Sequence, residues 1–186
     1  MDAGPYLLVL KCSGDLDKSE IDSVKNIAEL HNVQPIVIDK AKGETIAFHT
    51  TWRCYSLAYI AGHGNFQSIG ESCGPAQSWG ALAEELCSAA CMAPGAVLFC
   101  ASCHGGLASA AEAFFDKCPS VENVCGPRGS VCAPTLLLGF HVLMYNLLFR
   151  NGGPEQSCSL AQQASGHAFS LHSQQEYRER TSEIKL

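Results

Sequence analysis

Short, continuously apolar runs alternate along the chain with longer segments in which apolar residues recur every three to four positions. The recurring pattern predicts helices, and a short apolar run bounded by turn residues predicts a strand. Strands that are buried on both faces are apolar throughout rather than at every second residue. The five predicted strands are PYLLVLKCSG (5–14), VQPIVID (33–39), CYSLAYIAGHGN (54–65), GAVLFCAS (95–102) and VENVCGP (121–127).

The segments between and after these strands are predicted to be helical. Strands that alternate with helices indicate an α/β fold with a parallel sheet and helices on both faces. We expect one domain over residues 1–177, followed by a polar C-terminal tail over residues 178–186. The predicted helices are 17–32, 78–91 with Ser78 as its cap, 106–118, 133–153, and 154–177 with a break near Gly166.

Composition and charge restrict the class of partner. Charged residues make up 16% and apolar residues 47% of the chain, which predicts a well-buried core. The formal net charge is −6 and no Lys/Arg cluster occurs, so we expect neither nucleic acid nor an anionic membrane as a partner. The apolar run near residue 7 is too short for a signal-peptide core, and the apolar run over 135–149 is too short to span a bilayer. We therefore expect a cytoplasmic protein.

The chain contains 11 cysteines. In a reducing compartment such a set is expected to consist mostly of free thiols that act as small buried apolar residues. Cys100, inside the fourth predicted strand, is interpreted as one of these core residues. We expect no cofactor and no metal.

Two strand ends carry the candidate chemistry. The third predicted strand ends in Gly-His-Gly around His63, and the fourth ends in Ala-Ser-Cys-His-Gly around Cys103. In parallel sheets functional residues gather at the carboxyl ends of the strands. A helix is expected two or three residues after Cys103, where its amide end would favour a thiolate. His104, adjacent to the cysteine, is expected to point away from the sulfur.

The motifs YSLAYIAGHG and VLFCASCHG, in this order on consecutive strands, resemble those of the caspase-like cysteine peptidases. The later stretch LLLGFHVLMYNLLFRNGGPEQSCSLAQQA is similar to the end of the bacterial CHAT domains within that group. The resemblance implies a caspase-like fold and a thiol protease that cleaves protein or peptide substrates. It also implies an effector that a regulatory protein or a small molecule activates.

By this resemblance, His63 and Cys103 form a catalytic dyad. Cys103 attacks the scissile carbonyl and His63 transfers the proton to the leaving amine. The backbone N–H groups of Gly64 and Cys103 form the oxyanion hole. Asp15 and Asp17, in the loop after the first strand, are candidates for a pocket that selects Arg or Lys. The alternative for either aspartate is that it caps the following helix.

Three other functions remain open at this stage. A zinc protein would draw its ligands from the Cys-x-x-Cys pair and nearby cysteines and histidine. A thioredoxin-like role is disfavoured because its Cys-x-x-Cys follows the first strand and opens a helix. An inactive caspase-like module that only binds a partner would share the fold. The zinc candidates are Cys100, Cys103, His104, Cys118, Cys125 and Cys132.

Overall fold

A six-stranded, mostly parallel sheet forms the centre of the computed structural model, which describes residues 5–50 and 53–183. The strand order is β2-β1-β3-β7-β8-β9, and only β9 runs antiparallel to its neighbour. A second sheet contains β4, β5 and β6 and is antiparallel. The strands are β1 Tyr6–Lys11, β2 Gln34–Asp39, β3 Tyr55–Ala61, β4 His63–Gly64, β5 Ser68–Gly70, β6 Ala76–Ser78, β7 Met92–Ala101, β8 Val121–Pro127 and β9 Phe169–Ser173.

Seven α-helices connect or follow these strands in the described residues. Ser78 caps the third helix as predicted, because its hydroxyl accepts a hydrogen bond from Ala81 N at 3.1 Å. None of the helices in residues 5–50 and 53–183 has the length and apolar character needed to cross a membrane. The helices are α1 Lys18–Leu30, α2 Ile46–Thr50, α3 Trp79–Ser88, α4 Ala108–Lys117, α5 Ala133–Phe149, α6 Pro154–Ser165 and α7 Gln174–Glu183.

Successive residues of the central strands belong to two different hydrophobic clusters. Leu98 and Cys100 pack in a cluster with side chains of α3 and α4. Phe99 and Ala101 pack in the other cluster, with side chains of α1, α5 and α6. This division follows from strand geometry, in which successive side chains point to opposite faces. The continuous apolar runs therefore supply two cores at once, and the prediction of an α/β fold with a mostly parallel sheet is confirmed.

The C-terminal third differs from the prediction. A single helix over 154–177, broken near Gly166, was expected, but Gly166 ends α6 in a left-handed conformation and β9 follows. β9 pairs antiparallel with β8, so Cys125 lies opposite Leu171. Phe169, in β9, is only 3% exposed. The strand forms because Phe169 fills the core between α5 and β7, a tertiary contact that local periodicity does not encode.

Residues 178–183, expected to be a polar tail, continue helix α7. The helix packs against α4, where Tyr177 donates a hydrogen bond to Asp116 at 2.6 Å and its ring is tilted against that of Phe115, with centroids 5.8 Å apart. Arg180 forms an ion pair with Glu112. The proposed boundary after residue 177 therefore falls inside a helix, and residues 184–186 lie outside the described residues.

At Gly106 the turn that follows β7 lies very close to the backbone of β8. A Cβ at Gly106 would lie 2.0 Å from the carbonyl oxygen of Gly126 and 2.5 Å from its carbonyl carbon. We expect Gly106→Ala to lower the free energy of unfolding by about 1–3 kcal/mol, because two backbone segments must separate. Urea unfolding measures the change. Gly129→Ala is the control, because no atom lies within 4 Å of its Cβ position, and equal effects of the two substitutions would contradict the close approach.

Candidate active site

The register between β3 and β7 brings the two candidate strand ends to the same level of the sheet. Ala61, the last residue of β3, lies opposite Ala101, the last residue of β7. His63 and Cys103 each follow two residues after this pair. Because parallel neighbours end side by side, both residues leave the same edge of the sheet.

His63 and Cys103 line one pocket at this edge, with a volume of about 190 Å³. Asp15 and Asp17, the two candidate pocket residues, line it as well. The structure therefore brings all four predicted side chains to one place. The remaining lining residues come from the start of α1, the ends of β3 and β7, and the start of α5: Leu16, Glu20, Gly62, Ala101, Ser102, Val131, Ala133 and Leu136.

Gly64 holds the His63 segment against the Cys103 segment. A Cβ at Gly64 would lie 2.5 Å from Ser102 Oγ and 2.7 Å from the Cys103 carbonyl oxygen. Only a residue without a side chain allows this approach. The φ angle of Gly64 is not in the left-handed region, so close packing, rather than a special bend, explains the glycine.

Two backbone N–H groups beside the pocket, those of Gly64 and Cys103, have no hydrogen-bond acceptor within residues 5–50 and 53–183. Asn65 N donates to Ser68 O at 3.0 Å, which makes this a hydrogen-bonded pair of the β4–β5 hairpin. Such pairs alternate along an antiparallel ladder, so the next pair, Gly64 and Ile69, leaves the Gly64 N–H free of the ladder. The Cys103 N–H has no acceptor among the described residues. These are the two predicted oxyanion-hole donors.

Asp15 is fixed beside His63. Asp15 Oδ1 lies 3.3 Å from His63 Nε2. The same carboxylate accepts hydrogen bonds from the hydroxyl of Ser13 and from Ser72, through its hydroxyl and its N–H at 3.1 Å. The hydrogen bond from Ser13, followed by those from Ser72, lowers the pKa of Asp15 below its ordinary value. Asp15 is therefore an anion at neutral pH and contacts the imidazole directly.

Asp17 caps helix α1, which is the alternative that the sequence left open. Its Oδ1 accepts a hydrogen bond from Ser19 N at 2.9 Å. This bond satisfies one of the N–H groups left free at the start of the helix. Asp17 lines the pocket while its carboxylate is engaged at the rim.

Cys100 and His104 take no part in the pocket. Cys100 is completely buried, which confirms its interpretation as a core residue, and burial raises the pKa of its thiol well above the ordinary value. The His104 ring stacks on Phe66, with centroids 5.2 Å apart. Its Nδ1 lies 3.3 Å from the Arg128 carbonyl oxygen. His104 does not line the pocket that contains Cys103.

The helix expected two or three residues after Cys103 begins later. Turns occupy residues 102–107, and α4 starts at Ala108. The predicted start of this helix is therefore wrong.

The proposed zinc ligands are not assembled into a site. Across residues 5–50 and 53–183, no three His, Cys, Asp or Glu side chains are grouped so that they could hold a metal ion. All 11 cysteines are free thiols. In the Cys-x-x-Cys pair, Cys100 is fully buried in the core and Cys103 lines the pocket.

Sequence reasoning missed Glu20 at this site. Glu20 lies in the first turn of α1, four residues before Val24 and eight before Ala28, which are both buried. Residues at this spacing share one helix face, so Glu20 belongs to the buried face. An acidic residue on that face was the available signal.

Comparisons with known proteins identify no family for this chain. No protein-family model matches the chain, and no curated protein matches its sequence. The residues around the pocket therefore carry the functional assignment.

Proposed function

We propose that the protein is a caspase-like cysteine endopeptidase whose dyad is His63 and Cys103. The observation that carries the proposal is that both side chains line one pocket, at the ends of two strands paired in register. A nucleophilic cysteine requires a base that is held near it. The pocket also provides the cleft into which a substrate side chain can enter.

The caspase-like architecture belongs to the same proposal. It is supported by the strand order β2-β1-β3-β7-β8-β9 with the antiparallel strand at one edge. The separation of strand side chains into two helix-containing clusters supports helices on both faces. The order of the His and Cys motifs on adjacent strands supports the relation to CHAT domains.

In the proposed reaction, His63 accepts the Cys103 proton as the sulfur attacks the scissile carbonyl. A C–S bond forms, and the carbonyl oxygen becomes an oxyanion that the Gly64 and Cys103 N–H groups stabilise. His63 then donates the proton to the leaving amine as the C–N bond breaks. Water hydrolyses the resulting thioester and regenerates the thiol.

Asp15 acts on the base rather than on the sulfur. With His63 Nε2 engaged by the Asp15 carboxylate, the other ring nitrogen, Nδ1, is the one that exchanges protons with Cys103. A carboxylate in this position fixes the tautomer and stabilises the imidazolium that forms during attack. Asp15 is thus a positioning residue, which replaces its predicted role in substrate selection.

The proposed substrate is a protein or peptide, and the proposed setting is the reducing cytoplasm. The free state of all 11 cysteines supports that setting, because a nucleophilic thiol must stay reduced to react. Activation by a regulatory protein or a small molecule remains part of the proposal by its resemblance to CHAT domains.

We expect Cys103→Ala to abolish peptide cleavage and to leave the fold intact, because it removes the nucleophile at a half-exposed turn. A peptide-library cleavage profile of the two proteins measures the activity, and circular dichroism checks the fold. Cys100→Ala is the matched control: it should retain cleavage and lose stability, since a fully buried side chain is truncated.

Cleavage that persists in Cys103→Ala would exclude the dyad. A wild-type protein that cleaves nothing and whose Cys103 reacts with a thiol-directed probe equally well with and without His63→Ala would favour the inactive binding module instead. Both measurements use the full chain.

We expect Asp15→Asn to lower kcat about 10-fold for all peptides, whatever the side chain before the scissile bond, with little change in KM, because the Asp15 carboxylate contacts His63 and orients the base. Asp15→Glu should restore part of kcat. Asp22→Asn, which removes a half-exposed carboxylate of α1 outside the pocket, is the control. Loss confined to peptides with Arg or Lys at that position would show instead that Asp15 selects the substrate.

A further inference from the structure

Glu20 is a buried acid in the wall of the candidate active site. It is 5% exposed and lines the pocket together with His63 and Cys103. Burial raises the pKa of its carboxyl group above the ordinary value. A carboxylate in this setting costs free energy unless a partner compensates it, so its presence calls for an explanation.

Within the described residues, one of the two oxygens of the Glu20 carboxyl group has a hydrogen-bond partner. The hydroxyl of Tyr59 donates a hydrogen bond to Glu20 Oε1 at 2.9 Å. Tyr59 is itself fully buried and its ring is T-stacked on Phe140 with centroids 4.7 Å apart, so Glu20 is held in place. Oε2 has no hydrogen-bond or ion-pair partner among the described residues and is not sealed from the pocket.

Helix capping does not account for Glu20. An aspartate at the cap followed three residues later by a glutamate is the spacing of a capping box, in which the glutamate accepts from the N–H of the cap residue. In this structure Asp17 caps α1 through Ser19, while Glu20 reaches the sheet at Tyr59. No hydrogen bond from Asp17 N to Glu20 occurs among the described residues. The side chain is directed to the pocket side of the helix.

The other two acids of the pocket are already engaged. Asp15 contacts His63, Ser13 and Ser72, and Asp17 caps the helix. Of the described residues that line the pocket, three are acidic and none is Lys or Arg. Glu20 is therefore the acid with an oxygen left for a ligand.

The shape of the pocket matches one long side chain. Its volume of about 190 Å³ is below the 300–1,000 Å³ range of pockets for whole small molecules. Leu16, Val131 and Leu136 supply apolar walls. A lysine or arginine side chain has the complementary form, an aliphatic stem with a cationic end.

We propose that Glu20 is the specificity residue of this site and that it binds the Arg or Lys side chain preceding the scissile bond. The inference rests on the proposed peptidase function, because it places the pocket beside the reacting bond. The stem of the substrate side chain packs on the apolar walls and its cationic end meets Glu20 Oε2. Ion pairing with the substrate then provides the partner that the buried carboxylate lacks in the free protein.

The test compares wild type, Glu20→Gln and Asp22→Asn on peptides that differ only in the residue before the scissile bond: Arg, Lys, Gln or Leu. Asp22 is the control because it is a half-exposed acid of α1 that does not line the pocket. Wild type should favour Arg and Lys. Glu20→Gln should lower kcat/KM for these two peptides about 100-fold, the usual cost of removing one member of a buried charge pair, and leave the Gln and Leu peptides unchanged. Asp22→Asn should keep the wild-type preference.

A binding measurement separates this inference from the peptidase proposal. Agmatine, a guanidinium with an aliphatic stem, should bind Cys103→Ala in calorimetry and should not bind the Cys103→Ala, Glu20→Gln double variant. If wild type cleaves none of the peptides and this pattern of agmatine binding holds, the peptidase proposal fails and Glu20 is shown to bind a cationic side chain but not to select a cleavage site.

Two results would overturn the role of Glu20. One is a basic preference that survives in Glu20→Gln. The other is a wild-type protein that cleaves without a basic preference and whose Cys103→Ala form does not bind agmatine, in which case the peptidase proposal stands. The second result needs no Glu20 variant, so it can overturn the role of Glu20 even if Glu20→Gln does not fold.

Discussion

Parallel hydrogen bonding between β3 and β7 is the constraint on which the candidate site depends. The pairing of Ala61 with Ala101 fixes where both strands end, and the two turns that follow carry His63 and Cys103. A slip of one residue in a strand exchanges its two faces. Such a slip would move Cys100 out of its sealed position and would break both hydrophobic clusters. The packing of the core therefore determines the register, and the register determines the site.

Two carboxyl groups that line the same pocket have pKa values shifted in opposite directions. Hydrogen bonds from Ser13 and Ser72 lower the pKa of Asp15, whereas burial raises the pKa of Glu20. Environments that separate the pKa values of neighbouring carboxyl groups are typical of functional sites. Here Asp15, an anion at neutral pH, contacts the imidazole of His63, and Glu20, whose charge a cation would stabilise, lines the pocket.

Most of the fold could be predicted from local pattern because its strands are buried on both faces and its helices are periodic. The five predicted strands all occur, since a continuous apolar run has few alternatives between turn residues. β9 escaped prediction because its residues alternate only weakly and follow a helix of similar composition. Its strand state depends on pairing with β8. The hairpin strands β4 to β6 are short, and tertiary contacts such as that of Gly64 with Ser102 hold them.

Only those features of the site that depend on neighbouring residues in the sequence could be predicted. His63 and Cys103 are marked by the glycines around them and by their place after apolar strands. The contact of Asp15 with His63 joins the loop after β1 to the start of β4, and spacing along the chain contains no information about it. Glu20 was hidden for a different reason: its spacing from Asp17 is that of a capping box. In the folded chain Glu20 instead accepts a hydrogen bond from Tyr59 of β3 and lines the pocket. This tertiary contact could not be read from the spacing of Asp17 and Glu20.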